Sequence, residues 1–472
     1  MVHVAVLGAY GSAGVAAAEG LLAALDEGRL DTLTLSLIDG GEPGGLCILR
    51  GCMPSKDLLS AGGHRFQVRH DDRLGQAPMV DVDRTVTQKD THVASFVEHR
   101  KAGIEAMADR PEVTFYPEHG RFVDASTISV GDEHLEIDYA IIATGSNPTI
   151  PPVPGIDDVE VHTSAEVLDA TTFPASGVII GFGFIGMELA PYLAEVGDVD
   201  LTVIDRNDRP LSAVDPAFGS AVKSLYEDEF GIELITGASA DRIDTTADGV
   251  EVTYRDQTGE TGVTAGEQLY VFAGRTPNLD GLSLEAAGLE DRAGWVTDTM
   301  ATADNPRIFV VGDANGREPI LHIAKEEGYH AAENIVATAN GASTAPYEPI
   351  IHRIVFSGLS VYPFARVGHS ESSAKAAGFD VVTATRQASD DGVFKVKAVP
   401  LGLAKLVVDA YSGQILGYLG LHHHADVFAK LAQVMIETGL TVEEIPDRAY
   451  HPTTPELLDG LLRETKATIE NR

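Results

Sequence analysis

Cysteine is nearly missing from this chain: 472 residues contain two, Cys47 and Cys52. Lysine is scarce as well, at 11 against 23 arginines, and 34 bases face 71 acids for a formal net charge of −37. No uncharged apolar run reaches the roughly 18 residues of a membrane-spanning helix. The opening residues MVHVAVLG show neither the basic stretch nor the cleavage site of a secretory leader. Each shortage excludes something. A surface this acidic repels nucleic acid and anionic lipid, so neither is expected as a partner. A reducing cytoplasm, the expected location, disfavours a structural staple between two cysteines. Zinc would want two more soft ligands, and the neighbouring residues offer none closer than His64, so no metal site is expected. Redox chemistry is the remaining use for a close cysteine pair.

What is present is nucleotide-binding pattern, twice. Residues Val2 to Leu7 read as a strand, followed by the turn Gly8-Ala-Tyr-Gly11-Ser12-Ala13-Gly14, an Ala/Leu helix to about Asp26, and a strand Leu33 to Ile38 ending at Asp39. Glycines let the backbone approach a pyrophosphate at a helix N-terminus, and the acid at the second strand's end receives ribose hydroxyls. The copy reads as imperfect, with Tyr10 at the second glycine position and Ala13 at the third. About 170 residues on, the pattern returns intact as a strand over 177–180, the turn Gly181-Phe-Gly183-Phe-Ile185-Gly186, a helix through Glu195, and a strand over 201–204 ending in Asp205-Arg206. Two such units imply two nucleotides, FAD at the first and a nicotinamide coenzyme at the second. Asp205 would accept a ribose 2′-hydroxyl, whereas Arg206 and Arg209 could clamp a 2′-phosphate. NADPH is favoured over NADH.

The segment Gly44-Gly45-Leu-Cys47-Ile-Leu-Arg-Gly-Cys52-Met-Pro-Ser-Lys56 resembles the redox signature of the class I pyridine nucleotide-disulfide oxidoreductases. Ala143-Thr144-Gly145, Gly274-Arg275-Thr-Pro-Asn278, Val311-Gly312-Asp313 and His451-Pro-Thr-Thr-Pro-Glu456 follow in the order of that family. The resemblance implies an α/β fold with two Rossmann-like domains and an α+β interface domain. FAD would occupy residues 1–148 and 272–345, the nicotinamide coenzyme 149–271, and a homodimer interface 346–472. It also implies roles. Cys47 matches the thiol that attacks a substrate disulfide, and Cys52 the thiol against the flavin. Lys56 and Glu188 match a pair beside the flavin, Asp313 a ligand of its ribityl chain, and His451 an acid-base group held by Glu456 and serving the other subunit. Gly45, Thr144 and Gly145 fall among the flavin contacts and Gly274 among those of the coenzyme.

The sequence departs from the family at the interface segment 355–364, whose local contacts do not carry over, and at His422-His-His424, read as a surface or interface turn rather than a metal motif. Two cysteines in total disfavour a mercuric reductase, while Asp205 keeps a dihydrolipoamide dehydrogenase as the alternative. A non-catalytic flavoprotein subunit is the third reading. The excess of acid is tolerable where salt shortens the Debye length to about 3 Å near 1 M, and with the lysine scarcity it resembles halophilic archaeal proteins. Within the family this points to the bis-γ-glutamylcystine reductases of halophilic archaea. The expected substrate is a small anionic disulfide, with Arg50, His322 and Lys325 as candidate cations.

Overall fold

Two strand-turn-helix units organise the chain, each belonging to a parallel sheet. The computed structural model describes residues 2–350, 352–448 and 450–472. The chain divides into two compact units: Met1–Pro54, Asp90–Pro148 and Arg275–Pro349 form the first, and Ser55–Lys89, Thr149–Gly274 and Ile350–Arg472 the second.

In the first unit Val2–Leu7 is the central strand of a five-stranded parallel sheet. Leu33–Ile38 and Val113–Tyr116 lie to one side, Tyr139–Ile142 and Ile308–Val310 to the other. Near-continuous apolar runs such as VAVL and YAII suit strands covered on both faces, and Val4, Ala5 and Val6 have no exposed surface. The alanine-rich helix Ser12–Asp26 follows the first strand. It stops where Gly28 adopts φ +71° and its N–H reaches the Leu25 carbonyl. Helix Leu321–Ala339 packs so tightly on it that a Cβ at Gly328 would lie 2.3 Å from the Ala13 carbonyl oxygen. Small residues therefore set the approach that holds the first glycine turn in place.

The second unit repeats the parallel theme. Ser176–Ile180 is flanked by Asp200–Asp205 and Glu233–Thr236 on one side and by Gln268–Val271 and Val161–His162 on the other. A separate five-stranded antiparallel sheet has the order His352–Val355, Phe364–Gly368, Ile415–Leu421, Leu403–Asp409, Val381–Gln387. Helices Ala425–Glu437 and Glu456–Glu470 lie against it. Residues 55–89 group with this unit because Leu58, Leu59, Phe66 and Val86 join its core. No described helix is long and apolar enough to cross a membrane.

Candidate active site

The first glycine turn corrects its reading from sequence. Gly8 has φ +94° and a Cβ there would strike the Ala143 carbonyl oxygen at 2.4 Å; Gly181 has φ +100° and would strike that of Phe272 at 2.6 Å. Gly11 caps the first helix as Gly183 caps the helix Phe184–Glu195. A Cβ at Gly14 would meet the Gly8 carbonyl at 2.3 Å, as one at Gly186 would meet that of Gly181 at 2.6 Å. The three glycine duties thus fall on Gly8, Gly11 and Gly14, and the first turn is one residue longer than the second, not degraded. Tyr10 fills the extra position. Its side chain is 8% exposed and its ring lies 5.3 Å from that of Phe115, so it packs into the core and leaves the turn's approach open.

One cavity gathers Gly11, Ser12, Ala13, Cys47, Cys52, Gly145 and Asp313. The helix N-terminus there has no side-chain cap and no acid in its first turn, which leaves N–H groups and dipole for an anion, as the diphosphate of FAD requires. Gly45, φ +66°, packs on that turn, since a Cβ would lie 3.0 Å from Gly11 Cα. Asp39 accepts from the N–H groups of Tyr10 at 2.8 Å and Gly41 at 2.9 Å, bracing the turn. Both cysteines are half-buried, Cys47 in the short helix Gly45–Leu49 and Cys52 opening the helix Cys52–Arg69.

Sequence reasoning missed the residues that hold Asp313. Ser146 donates to it at 2.6 Å, and the Nε of Arg275, half-buried, donates to Ser146 at 2.8 Å. Thr144 donates to the Asn278 carbonyl at 2.6 Å, so the 143–145 and 274–278 motifs are stitched together. Beneath the turn Gly312–Asn315 sits Glu327, 2% exposed, accepting from Gly312 N–H at 2.7 Å and Asn315 Nδ2 at 2.8 Å. Its signal was present: an acid on the apolar stripe of Ile323, Ala324, Ala331 and Ile335.

Burial raises the Glu327 carboxyl from 4.5 to about 7, with Asp313 adding to the rise. The folded chain therefore holds this proton more tightly than the unfolded one. The stability contributed is complete below about pH 4.5 and is lost as pH climbs through about 7, on the order of 3 kcal/mol in all. E327Q should flatten that part of the curve in urea unfolding compared with wild type between about pH 5 and 8. Parallel curves for the two proteins would remove Glu327 as the group responsible.

In the second unit the turn 181–186 opens on a helix with no side-chain cap and no first-turn acid, again fitted to an anion, and Ile185 follows Phe184 in its first turn. Asp205 does not face outward as the ribose contact demands. It is 7% exposed and accepts from Phe182 N–H at 2.6 Å, Asn207 N–H at 2.7 Å and Asn207 Nδ2 at 2.8 Å, which makes it a brace for the turn. Arg206 is exposed. Arg209 donates to the carbonyls of Ser212 at 2.9 Å and Val214 at 3.2 Å. Gly274, φ +104°, closes this unit and accepts from Thr149 N–H at 2.9 Å.

Lys56 and Glu188 pair at 2.7 Å, and the second Glu188 oxygen accepts from Phe356 N–H at 3.0 Å. The unusual 355–364 segment thus orients this pair through its backbone, with the Phe356 ring 4.8 Å from Lys56 Nζ. His451 Nδ1 lies 3.0 and 3.2 Å from the two Glu456 oxygens, and its side chain is 80% exposed. The Thr453 N–H and then His451 hold the Glu456 carboxyl below its ordinary range. Of the candidate cations, Arg50 and Lys325 are exposed and His322 is half-buried.

The histidine tract is no surface turn at its start. His422 is fully buried, 2.6 Å from the Tyr418 hydroxyl and edge-on to Phe394 and Phe428. Desolvation pushes it down to about 4, so it is a neutral core imidazole. No group of metal-ligating side chains occurs among the described residues.

This arrangement has relatives. Residues 2–333 match the pyridine nucleotide-disulphide oxidoreductase family and 351–461 its dimerisation domain. The chain belongs to that family, the FAD-dependent disulfide oxidoreductases linked to nicotinamide coenzymes. It is 32% identical to a dihydrolipoyl dehydrogenase of Halobacterium salinarum over 93% of this chain and 92% of that one. A mercuric reductase of Lysinibacillus sphaericus is 30% identical over 88% of this chain and 74% of its own length. Among solved structures the fold is shared with LpdA from Mycobacterium tuberculosis, TM-score 0.82 at 23% identity. It is shared too with the HOCl-induced flavoprotein disulfide reductase RclA from Escherichia coli, TM-score 0.79 at 22% identity; each covers 98% of this chain and is itself 99% covered.

Proposed function

We propose that this protein reduces a low-molecular-weight disulfide, bis-γ-glutamylcystine, with electrons from NADPH, as a homodimer in a salt-rich cytoplasm. The observation that carries the reading is the single cavity in which Cys47 and Cys52 meet the uncapped helix N-terminus and Asp313. FAD bound there would supply two-electron transfer between nicotinamide and sulfur. Cys47, as thiolate, attacks one substrate sulfur and the S–S bond breaks; His451 gives its proton to the departing thiolate. Cys52 then attacks Cys47, which releases the second thiol and closes the protein disulfide.

The dimer is supported by two exposed features of the second unit. His451 presents its ring to solvent while Glu456 holds Nδ1, which suits a group serving another subunit. Val427, Leu431 and Val434, all exposed, make an apolar stripe along helix Ala425–Glu437. NADPH is supported by the inward turn of Asp205, whose carboxylate leaves exposed Arg206 as the charge nearest the strand end.

Steady-state assays in high salt should show kcat/KM for NADPH exceeding that for NADH by at least about tenfold, the factor one phosphate contact supplies. Bis-γ-glutamylcystine should outpace glutathione disulfide, lipoamide and mercuric ion. Preference for NADH would overturn the coenzyme assignment. The similarity to dihydrolipoyl dehydrogenases favours a second reading, lipoamide oxidation with NAD, and faster turnover of lipoamide would establish it. An unchanged flavin spectrum on anaerobic addition of NADPH would instead favour a non-catalytic flavoprotein.

A further inference from the structure

A cavity of about 160 Å³ opens at Gly183 and Phe184, where the uncapped helix of the second glycine turn begins. Three guanidinium groups line it: Arg209 from the loop after the Asp205 strand, and Arg353 and Arg366 from the antiparallel sheet. The last two are direct partners across strands His352–Val355 and Phe364–Gly368. Side chains so paired stand on one face with Cβ atoms roughly 5 Å apart, which brings two positive charges to one wall of the cavity. Arg353 Cζ is 5.9 Å from the centre of the Phe184 ring, which places its charge at the mouth of the glycine turn. Arg209 pairs with the exposed Asp208 at 3.1 Å through Nη1, and its buried Nε has no hydrogen-bond partner among the described residues. With 34 bases against 71 acids, the chain has few cations to place. Putting three of them on one cavity, facing a helix N-terminus, makes a local well for a multiply charged anion.

We propose that Arg353 and Arg366, with Arg209, bind the diphosphate of the nicotinamide coenzyme, so that the antiparallel sheet supplies half of the coenzyme's anion clamp. This rests on the reading that the 181–186 turn takes a nicotinamide dinucleotide. Arg353 and Arg366 are thereby binding residues for the coenzyme, not for the disulfide.

The test titrates the FAD-loaded protein calorimetrically with NADP+ and NAD+, following whichever the wild type binds more tightly. R353Q and R366Q should each weaken it about tenfold, and the double variant at least about thirtyfold, with flavin content and melting temperature unchanged. R353K should recover part of the loss. Inorganic pyrophosphate should compete with the coenzyme in wild type and cease to do so in the double variant, while KM for the disulfide stays constant. Coenzyme affinity within twofold of wild type in a folded double variant would overturn the assignment, as would a rise in the disulfide KM instead. Should the double variant fail to fold, absence of pyrophosphate competition in wild type would overturn it equally. A wild type that binds neither dinucleotide would sink the underlying coenzyme reading, a result distinct from these.

Discussion

Cys47→Ser is expected to abolish disulfide turnover, to below about one-thousandth of wild type, while the protein keeps its flavin and still accepts electrons from its nicotinamide coenzyme. The thiolate is the nucleophile toward a disulfide, and an alcohol at the same place is neither ionised nor soft enough to replace it. The substitution removes little volume from a half-buried side chain lining a cavity, so the glycine turn and the Ser146–Asp313 contact that frame the site should persist. The measurement pairs steady-state disulfide reduction with the absorbance of bound flavin before and after anaerobic addition of the reduced nicotinamide coenzyme. Normal turnover would take Cys47 out of the mechanism.

His451→Ala should slow turnover about 100-fold, within the range associated with general acid-base catalysis. The effect should fall on chemistry alone. The imidazole is 80% exposed, and Glu456 still accepts from Thr453 N–H at 2.9 Å, so the start of helix Glu456–Glu470 keeps its brace. Melting temperature should therefore match wild type, so that the loss appears in kcat with the fold intact. A change smaller than about threefold, or a loss of rate that tracks a loss of stability, would refute the acid-base role.

Much of this was readable from sequence where one local rule decides the outcome. The strands Val2–Leu7 and Leu33–Ile38 and the helix Ser12–Asp26 have the bounds their apolar runs and glycines suggest. The second glycine turn was legible because its spacing has no insertion. The first was misjudged because spacing was counted from Gly8 forward, whereas the duties are fixed by the helix start at Ser12 and by which Cβ would strike a carbonyl. Asp205 was read by type and position, yet donors from Phe182 and Asn207 take its carboxylate inward. His422 looked polar and peripheral, and only the packing of Phe394, Phe428 and Tyr418 around it shows a core residue. Arg353 and Arg366 were out of reach altogether. Their meeting depends on a cross-strand register that no local pattern encodes.

The one-residue lengthening at Tyr10 has a consequence for how this chain is aligned with others. Positions counted from the first glycine slip by one in this copy, whereas positions counted back from the helix keep their meaning: Ser12 answers to Phe184, and Ala13 to Ile185. A fingerprint written with fixed gaps would score the amino-terminal half as decayed, although each of its contact-making glycines is in place. Loop length has drifted between the two halves while steric contacts have not, and those contacts are the sounder ruler for transferring roles onto this protein.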